Sequence, residues 1–331
     1  MPPEIAPEVV FPHLGITLEH LPRAAFTIFG FPVYFYGVFI ATGMVAGLIY
    51  GLHEARRTGQ RTEKYTDLLL IGIVAALIGA RLYYVIFTWQ DYAASPLEIF
   101  DLRKGGLAIY GGLIASVIAA AVFCRVNRLK FLVVADTCAP AFVLGQAIGR
   151  WGNFFNREAF GGYTDGLFAM RYLSSQASIV PKSLAAREIT ANGAQYIQVH
   201  PTFLYESMWC VGAFILLNIW KRRAKASGEV MGAYFVLYGL GRAWIEGLRQ
   251  DQLLIWGTDI AVSQVLSFAL VAIGIVIIII RRSGSGKAVL AAGAGPDGYG
   301  STIQSGENNG DDARDEINGI QADTGEEPPR D

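Results

Sequence analysis

The chain has 331 residues, of which 53% are hydrophobic and 17% are charged, and its mean hydropathy is +0.37. Soluble domains carry roughly a quarter charged residues, so this composition excludes an ordinary soluble enzyme and predicts a membrane protein. The net charge of −1 averages basic loops with an acidic tail, and we expect no nucleic-acid partner. Residues 1–24 lack the regions of a signal peptide, so we expect an extracytoplasmic N-terminal segment that is not cleaved.

Apolar segments long enough to cross a bilayer fill most of the chain between residues 25 and 282. A spanning helix needs about 20 mostly apolar residues. The candidate spans are 33–51, 67–88, 107–124, 132–150, 202–220, 230–248 and 259–280. The sequence therefore predicts an all-α membrane protein, a bundle of about seven transmembrane helices that occupies residues 25–282.

Basic residues are concentrated in alternate connections between these spans. They are Arg56, Arg57, Arg61 and Lys64 in the first connection, Arg125, Arg128 and Lys130 in the third, Lys221, Arg222, Arg223 and Lys225 in the fifth, and Arg281 and Arg282 after the last span. The second connection contains Arg103 and Lys104, and the sixth contains Arg249. Because cytoplasmic loops carry an excess of Lys and Arg, we expect the amino terminus outside and the carboxyl terminus in the cytoplasm.

Two polar segments lie outside the predicted spans. Residues 155–200 are too long for a turn and too polar to cross a bilayer, so we expect a periplasm-side arm or head between helices 4 and 5. Residues 283–331 contain ten acidic residues against three basic ones, which predicts a disordered acidic cytoplasmic tail. The cysteines Cys124, Cys138 and Cys210 all fall in apolar runs without metal-ligand spacing, so we expect packed thiols.

Five ionisable residues lie inside the apolar spans, where an unpaired charge is costly and a functional role is the first hypothesis. They are Arg81, Arg150, Glu206, Arg242 and Glu246. On the predicted topology Arg242 lies about 18 Å above the inner face, at 1.5 Å per residue, and the others lie toward the outer ends of their helices. Charge from four helices is thus expected in one layer, in the outer leaflet.

The spacing of these residues predicts an anion site. Tyr238, Arg242 and Glu246 are four residues apart and lie on one helix face, and Arg150 and Asn153 are three apart. Guanidinium groups bind anions through paired hydrogen bonds, and a carboxylate can orient them. The alternative is that Arg242 and Glu246 form only an internal salt bridge. The convergence of three arginines favours an anionic ligand, and a phospholipid headgroup is the obvious anion there.

The entry to the third span is rich in glycine. Residues 105–113 contain four glycines around Tyr110. Glycine permits close approach of helices or an irregular entry into the membrane. Packing alone could explain the run, but its position in the same outer layer as the arginines favours a cavity.

The run Gly149-Arg150-Trp151-Gly152-Asn153-Phe154-Phe155-Asn156-Arg157-Glu158-Ala159-Phe160-Gly161 closely resembles the signature of the prolipoprotein diacylglyceryl transferases. Further matches follow the family's order: Tyr36-Gly37, Gly79-Ala80-Arg81, Lys104-Gly105-Gly106-Leu107, Tyr110-Gly111-Gly112-Leu113, His200-Pro201-Thr202, Tyr205-Glu206, Tyr238-Gly239, Arg242, Glu246 and Arg249-Gln250. The resemblance covers residues 25–282. Two positions depart from it: Tyr110 stands where many members have histidine, and Arg157 stands where glycine or glutamine is common.

The resemblance implies a bacterial inner-membrane transferase that needs no cofactor and no metal. Such an enzyme moves the diacylglyceryl group of phosphatidylglycerol onto the lipobox cysteine of a prolipoprotein, forms a thioether and releases glycerol 1-phosphate. Its partners would be phosphatidylglycerol, prolipoprotein signal peptides and membrane lipid. By this match the catalytic residues are Arg242, Arg150, Tyr110 and Glu158, and the phosphatidylglycerol-binding residues are Arg150, Asn153, Gly161, Tyr36, Tyr238, Glu246 and Arg81.

The implied chemistry suits these residue types. Cleavage of a carbon–oxygen bond to phosphate places negative charge on the departing oxygen, and a fixed guanidinium in a low-dielectric cavity stabilises it. The substrate supplies the thiol, so the enzyme needs no cysteine nucleophile of its own. The proton acceptor stays open among Tyr110, Glu158 and a water molecule.

Other membrane functions fit the composition less well. A lipid or solute transporter would explain intramembrane charge and glycine breaks, but we find no repeated halves. An intramembrane protease would need a serine, a paired aspartate or a zinc constellation, whereas Asp136 is single and lies near the predicted inner face. A seven-helix receptor would not explain arginines gathered in one leaflet.

Overall fold

The computed structural model describes residues 6–93, 95–101, 105–178, 180–191, 193–250, 252, 254, 258 and 261–288. Its long helices are α1 (Phe35–Arg57), α2 (Glu63–Phe87), α4 (Ile109–Val126), α5 (Phe131–Asn156), α7 (Thr202–Lys221), α8 (Glu229–Glu246) and α9 (Val262–Ala288). Two short helices, α3 (Trp89–Tyr92) and α6 (Lys182–Ala185), lie in the connections. The predicted helical membrane fold is confirmed.

Six of the long helices are long and apolar enough to cross a membrane, and α8 is the exception among the described residues. Its 18 residues include Glu229, Arg242 and Glu246. Both acidic residues are buried in the protein. The acidic side chains of α8 are therefore enclosed by the protein, as charges inside a helix bundle require.

The structure corrects two predicted boundaries. The fourth span was expected to end at residue 150, but α5 continues through the family signature to Asn156. The tail was expected to begin at residue 283, whereas α9 extends to Ala288. A helix propagates past its apolar part because each added residue gains a backbone hydrogen bond. The remainder of the predicted tail, residues 289–331, lies outside the described residues.

Helix α5 is the central helix of the bundle. It packs against α1, α7 and α8, while α2 pairs with α4 and α8 pairs with α9. The core between α5, α7 and α8 consists of Ala139, Val143, Ala147, Cys210, Ala213, Leu217, Val230, Ala233 and Tyr234. The many small side chains allow the three helix backbones to approach closely.

Helices α2 and α4 meet through glycine. A Cβ atom on Gly79 would lie 2.2 Å from Ala115 Cβ and 2.6 Å from the Gly111 carbonyl oxygen. A Cβ on Gly111 would lie 2.2 Å from Tyr83 Cβ. The two helices touch backbone to backbone here, so Gly111 serves helix packing, whereas Gly105 and Gly106 lie before α4 with positive φ.

The head is a small β-sheet, a feature that the all-α prediction did not include. Its strands are β1 (Val9–Phe11), β2 (Ile16–Leu18), β5 (Met170–Leu173), β6 (Ile189–Ala191) and β7 (Ala194–Val199). Their order is β2-β1-β5-β7-β6, and each neighbouring pair is antiparallel. The sheet covers a core that includes Met170, Tyr172, Ile197 and Phe154.

The N-terminal segment belongs to this head. Strand β1 pairs with β5, with Val9 opposite Tyr172 and Val10 opposite Arg171. The predicted N-terminal segment (1–24) and the predicted arm (155–200) therefore both contribute strands to one sheet. A second hairpin, β3 (Ala24–Ile28) and β4 (Phe31–Tyr34), leads directly into α1.

Gly79→Ala is expected to destabilise the protein by about 1–3 kcal/mol, the usual cost of overpacking a close contact. The added methyl group would overlap Ala115 and the Gly111 carbonyl. Gly72→Ala is the matched control, because it lies on the same helix and its Cβ would meet nothing within 4 Å. Thermal unfolding in detergent measures the difference, and equal midpoints for the two variants would contradict the close contact.

Candidate functional site

Three helices place their charged residues at one interface. Arg150 lies near the end of α5, Glu206 lies in the second turn of α7, and Arg242 and Glu246 lie in the last turns of α8. All three helices border the central core, so the packing of small residues brings these side chains together. The site is built from residues that are distant in the chain.

Glu206 forms ion pairs with two arginines. Its Oε2 forms an ion pair with Nε of Arg150, and its Oε1 lies 2.9 Å from Nη1 of Arg242. Nη2 of Arg242 lies 2.6 Å from Oε2 of Glu246. The same carboxylate oxygen lies 3.9 Å from Nε of Arg249. Both carboxylates are buried, whereas the side chains of Arg150 and Arg242 keep about a fifth of their surface exposed, at 22% and 19%.

A narrow cleft opens beside this cluster. It is lined by Glu206, Trp209, Cys210, Tyr238, Gly241, Arg242 and Ile245, and its volume is about 10 Å³. That volume is close to the minimum for one water molecule. A phosphate group therefore requires the side chains around the cleft to move apart, and the Glu206 ion pairs are the contacts that hold them together.

The structure places four of the predicted site residues at this cleft or at its ion pairs, namely Arg150, Arg242, Glu246 and Tyr238. The alternative prediction of an internal Arg242–Glu246 salt bridge also describes a real contact. Glu206 was absent from the predicted site set. Its position as a carboxylate inside an apolar span was the available indication.

Asn153 and Glu158 form a second polar cluster at the end of α5. Nδ2 of Asn153 donates to Oε1 of Glu158 at 3.0 Å, and Nδ2 of Asn156 donates to the same oxygen at 3.4 Å. The backbone N–H of Glu158 donates to the Asn153 carbonyl at 3.1 Å. The Glu158 carboxylate of the signature therefore lies against the C-terminal end of α5.

Gly161 connects the signature to two other parts of the chain. Its N–H donates to the His200 carbonyl at 3.0 Å, and a Cβ at this position would lie 2.7 Å from His200 Cβ and 2.9 Å from the Leu248 carbonyl. No side chain fits in that space. Gly161 therefore acts through close backbone approach, beside the start of α7 and the end of α8.

Arg81, a predicted phosphatidylglycerol-binding residue, is anchored elsewhere. Its guanidinium is buried and donates hydrogen bonds to five backbone carbonyls, those of Glu98, Ile99, Asp101, Gly105 and Gly106. Its bonded N–H groups point into the connection between α2 and α4. This geometry assigns Arg81 to holding that connection in place, which sequence spacing could not reveal because the acceptors are main-chain atoms.

The remaining two tyrosines of the prediction lie on the first turns of their helices. The ring of Tyr36 packs on Gly152, where a Cβ would lie 2.9 Å from the Tyr36 ring, so Tyr36 borders the signature. Tyr110 is half-buried at the start of α4 and, within the described part of the chain, shows no hydrogen bond to Arg150 or Arg242. Tyr110 therefore stays a candidate proton acceptor on the resemblance alone.

Outside the membrane-spanning helices, Glu8 and His200 are among the groups near the signature whose pKa values are shifted. Burial would raise the pKa of Glu8, but hydrogen bonds from Gln176, the Leu21 N–H and His20, together with the Arg157 charge, lower it to about 2. Burial lowers the pKa of His200. At neutral pH Glu8 is therefore anionic and His200 is uncharged.

Comparison with known proteins gives one consistent result. The family described as Prolipoprotein diacylglyceryl transferase matches residues 23–280. The chain is 41% identical over 271 residues to a phosphatidylglycerol–prolipoprotein diacylglyceryl transferase of Bacillus cereus, and this covers 80% of the chain and 94% of the relative. Proteins of the same name from Bacillus cytotoxicus and Bacillus anthracis are 40% identical over the same length.

Arg81→Lys is expected to loosen the connection between α2 and α4, because one ammonium group cannot satisfy five carbonyls in fixed directions. Amide hydrogen exchange in residues 96–101, 105 and 106 should rise at least about tenfold, the effect of losing roughly 1.4 kcal/mol of local stability. Arg125→Lys, at an exposed position on α4, is the matched control and should leave this exchange unchanged. Unchanged protection in Arg81→Lys would contradict the anchoring role.

Proposed function

The chain belongs to the prolipoprotein diacylglyceryl transferase family, and from that premise we propose that it transfers the diacylglyceryl group of phosphatidylglycerol to the lipobox cysteine of prolipoproteins. This transfer is the first step of bacterial lipoprotein maturation. The observation that carries the proposal is the pair of guanidinium groups, Arg150 and Arg242, held at one helix interface beside the family signature.

The reaction is a substitution at the carbon of the diacylglyceryl group that carries the phosphate ester oxygen. The cysteine sulfur forms a bond to this carbon, and the carbon–oxygen bond to the phosphate breaks. The electron pair of that bond stays on the phosphate oxygen, and the thiol proton leaves to an acceptor. The products are a thioether on the prolipoprotein and glycerol 1-phosphate, so the reaction consumes no oxidant, reductant or energy-rich cosubstrate.

Arg150 and Arg242 stabilise the charge that develops on the departing phosphate. Three guanidinium groups (Arg150, Arg242 and Arg249) and two carboxylates (Glu206 and Glu246) give the cluster a net charge of 3 − 2 = +1. A phosphodiester carries one negative charge and balances this excess. The extra negative charge of the leaving group then appears between preorganised guanidinium groups, which lowers the barrier.

Phosphate binding requires a rearrangement of Glu206. Its carboxylate occupies the guanidinium edges that a phosphate oxygen would use, and the cleft is too small to hold both. We propose that the phosphodiester displaces Glu206 from at least one arginine. Glu246 stays on Arg242 and keeps that guanidinium oriented.

The other predicted residues shape the substrate site. Tyr238 lines the cleft. Asn153 and Gly161 belong to the signature, and Tyr36 packs on its Gly152. Glu158 is held close to the signature helix by Asn153. For Arg81 the geometry supports an anchoring role in place of direct lipid contact, because its hydrogen bonds go to backbone carbonyls.

The proposed orientation has the amino terminus outside and the carboxyl terminus in the cytoplasm of a bacterial inner membrane. Basic residues in the last turns of α1, α4 and α7, Arg56, Arg57, Arg125 and Lys221, support it. The head sheet connects the C-terminal end of α5 to the N-terminal end of α7, which is the end of α7 away from Lys221. Phosphatidylglycerol and the prolipoprotein would then meet the cluster from the outer leaflet.

The central test uses purified enzyme in nanodiscs with labelled phosphatidylglycerol and a lipobox peptide. Arg150→Ala and Arg242→Ala should each lower the rate of transfer to the peptide cysteine by at least about 10²–10³-fold, the usual effect of removing a charge-stabilising donor. Arg125→Ala, at an exposed position on α4, is the matched control and should transfer at the wild-type rate. Wild-type rates in the folded Arg150 and Arg242 variants would overturn the charge-stabilisation assignment.

The same assay separates the candidate proton acceptors. If Glu158 accepts the thiol proton, Glu158→Gln should lower the transfer rate by about 10²–10⁴-fold, the range of general acid–base catalysis. Tyr110→Phe should then retain full activity, because the proton leaves to another residue. The reverse pattern would assign the acceptor role to Tyr110, and full activity in both variants would favour water.

A further inference from the structure

Arg157 is a buried residue in an unfavourable backbone conformation. It follows the last residue of α5 with φ = 53° and ψ = 49°, in the left-handed region that side chains with a Cβ rarely adopt. Its side chain is 5% exposed. A conformation of this kind persists only where surrounding contacts hold it, so the partners of Arg157 determine how the chain leaves α5.

The partners of the Arg157 guanidinium come from the N-terminal segment. Nη2 donates to Oε2 of Glu8 at 2.6 Å and to the Leu21 carbonyl at 2.5 Å. Its Nε is buried without a hydrogen-bond partner among the described residues. Within the same residues, Glu8 is the carboxylate paired with this buried charge.

Glu8 is itself fixed from several directions. The Leu21 N–H donates to its Oε2 at 2.6 Å, and Nε2 of Gln176 donates to its Oε1 at 2.9 Å. Its lowered pKa, about 2, results from these hydrogen bonds, with His20 and the Arg157 charge, against the opposing effect of burial. The Glu8 carboxylate is therefore anionic at neutral pH and is held in a fixed position beside the Arg157 guanidinium.

The backbone next to Arg157 carries the second polar cluster. Arg157 N–H donates to the Phe154 carbonyl at 3.0 Å, and the next N–H, that of Glu158, donates to the Asn153 carbonyl at 3.1 Å. The Glu158 carboxylate reaches Asn153 only through this reversal of the chain. A shift of the Arg157 backbone would therefore move Glu158 relative to the cleft.

We propose that Glu8 is a positioning residue for the transfer reaction: it pairs with Arg157, holds the chain reversal after α5, and thereby sets Glu158 and Asn153. This inference rests on the proposed function, which places Glu158 and Asn153 at the phosphatidylglycerol site. It gives the N-terminal strand region a role in catalysis through contact with the signature, with no contact between Glu8 and substrate.

A double-mutant cycle tests this role in the full-length enzyme in nanodiscs. The variants are Glu8→Gln, Arg157→Gln and the double variant, and Glu19→Gln is the matched control because Glu19 is an exposed acid in the same segment. For each, kcat and KM for phosphatidylglycerol are measured below the unfolding midpoint and normalised to folded enzyme. A purely structural role would change the folded amount and leave kcat unchanged.

Glu8→Gln should lower kcat by about tenfold to a hundredfold, the effect of a small misplacement of catalytic groups, while Glu19→Gln should not. The losses should not multiply: the double variant should have the same kcat as Arg157→Gln, because Glu8 acts through Arg157. Wild-type kcat in Glu8→Gln, or a further loss in the double variant relative to Arg157→Gln, would overturn the proposal. If Glu8→Gln yields no folded protein, the kcat of the double variant relative to that of Arg157→Gln decides whether the proposal holds.

Glu158→Gln separates this proposal from the proposed function. If Glu158→Gln loses activity while the cycle shows no coupling in kcat, the Glu8 proposal fails and the site assignment stands. If Glu158→Gln and Asn153→Ala both keep wild-type kcat and KM, the placement of these residues at the site is wrong and the positioning proposal falls with it.

Discussion

The central constraint on this structure is the burial of Glu206 between Arg150 and Arg242. Each charge alone would be costly inside a membrane-embedded bundle, and the desolvation of an ion pair is repaid only by close contact. Because the three residues come from α5, α7 and α8, their pairing also fixes these helices relative to one another. The same contacts thus maintain the bundle and occupy the proposed anion site. Such a site exchanges one anionic partner for another more readily than it accepts an additional charge.

The rest of the molecule is arranged around these three helices. The head sheet is tied to two of them through backbone hydrogen bonds: the Gly161 N–H donates to the His200 carbonyl before α7, and the Gly162 N–H donates to the Leu248 carbonyl after α8. Helices α2 and α4 form a glycine-packed pair beside the bundle, with Arg81 ordering their connection. A movement of α7 against α8 would therefore reach the head directly, through short main-chain contacts.

Sequence reasoning recovered the helices well, because a spanning helix must satisfy every backbone group internally and so leaves a long apolar run. It also recovered the Arg242–Glu246 pair, since residues four apart share a helix face. It missed the strand Val9–Phe11, because three residues carry no reliable periodicity and the pairing partner is far along the chain. Glu206 and Arg81 were flagged as intramembrane charges, but their partners lie on other helices or on main-chain atoms, which spacing within one helix cannot identify.

The place of β1 in the sheet constrains how the protein is made. This strand lies between β2 and β5, and its partner residue Tyr172 follows Val9 by 172 − 9 = 163 positions. At a synthesis rate of about 5–20 residues per second, the first strand waits roughly ten to thirty seconds before its partner exists. During that interval four long helices must enter the membrane while an unpaired strand edge stays exposed. The sheet is therefore completed late in biogenesis. Its completion requires that the first half of the bundle has already been inserted.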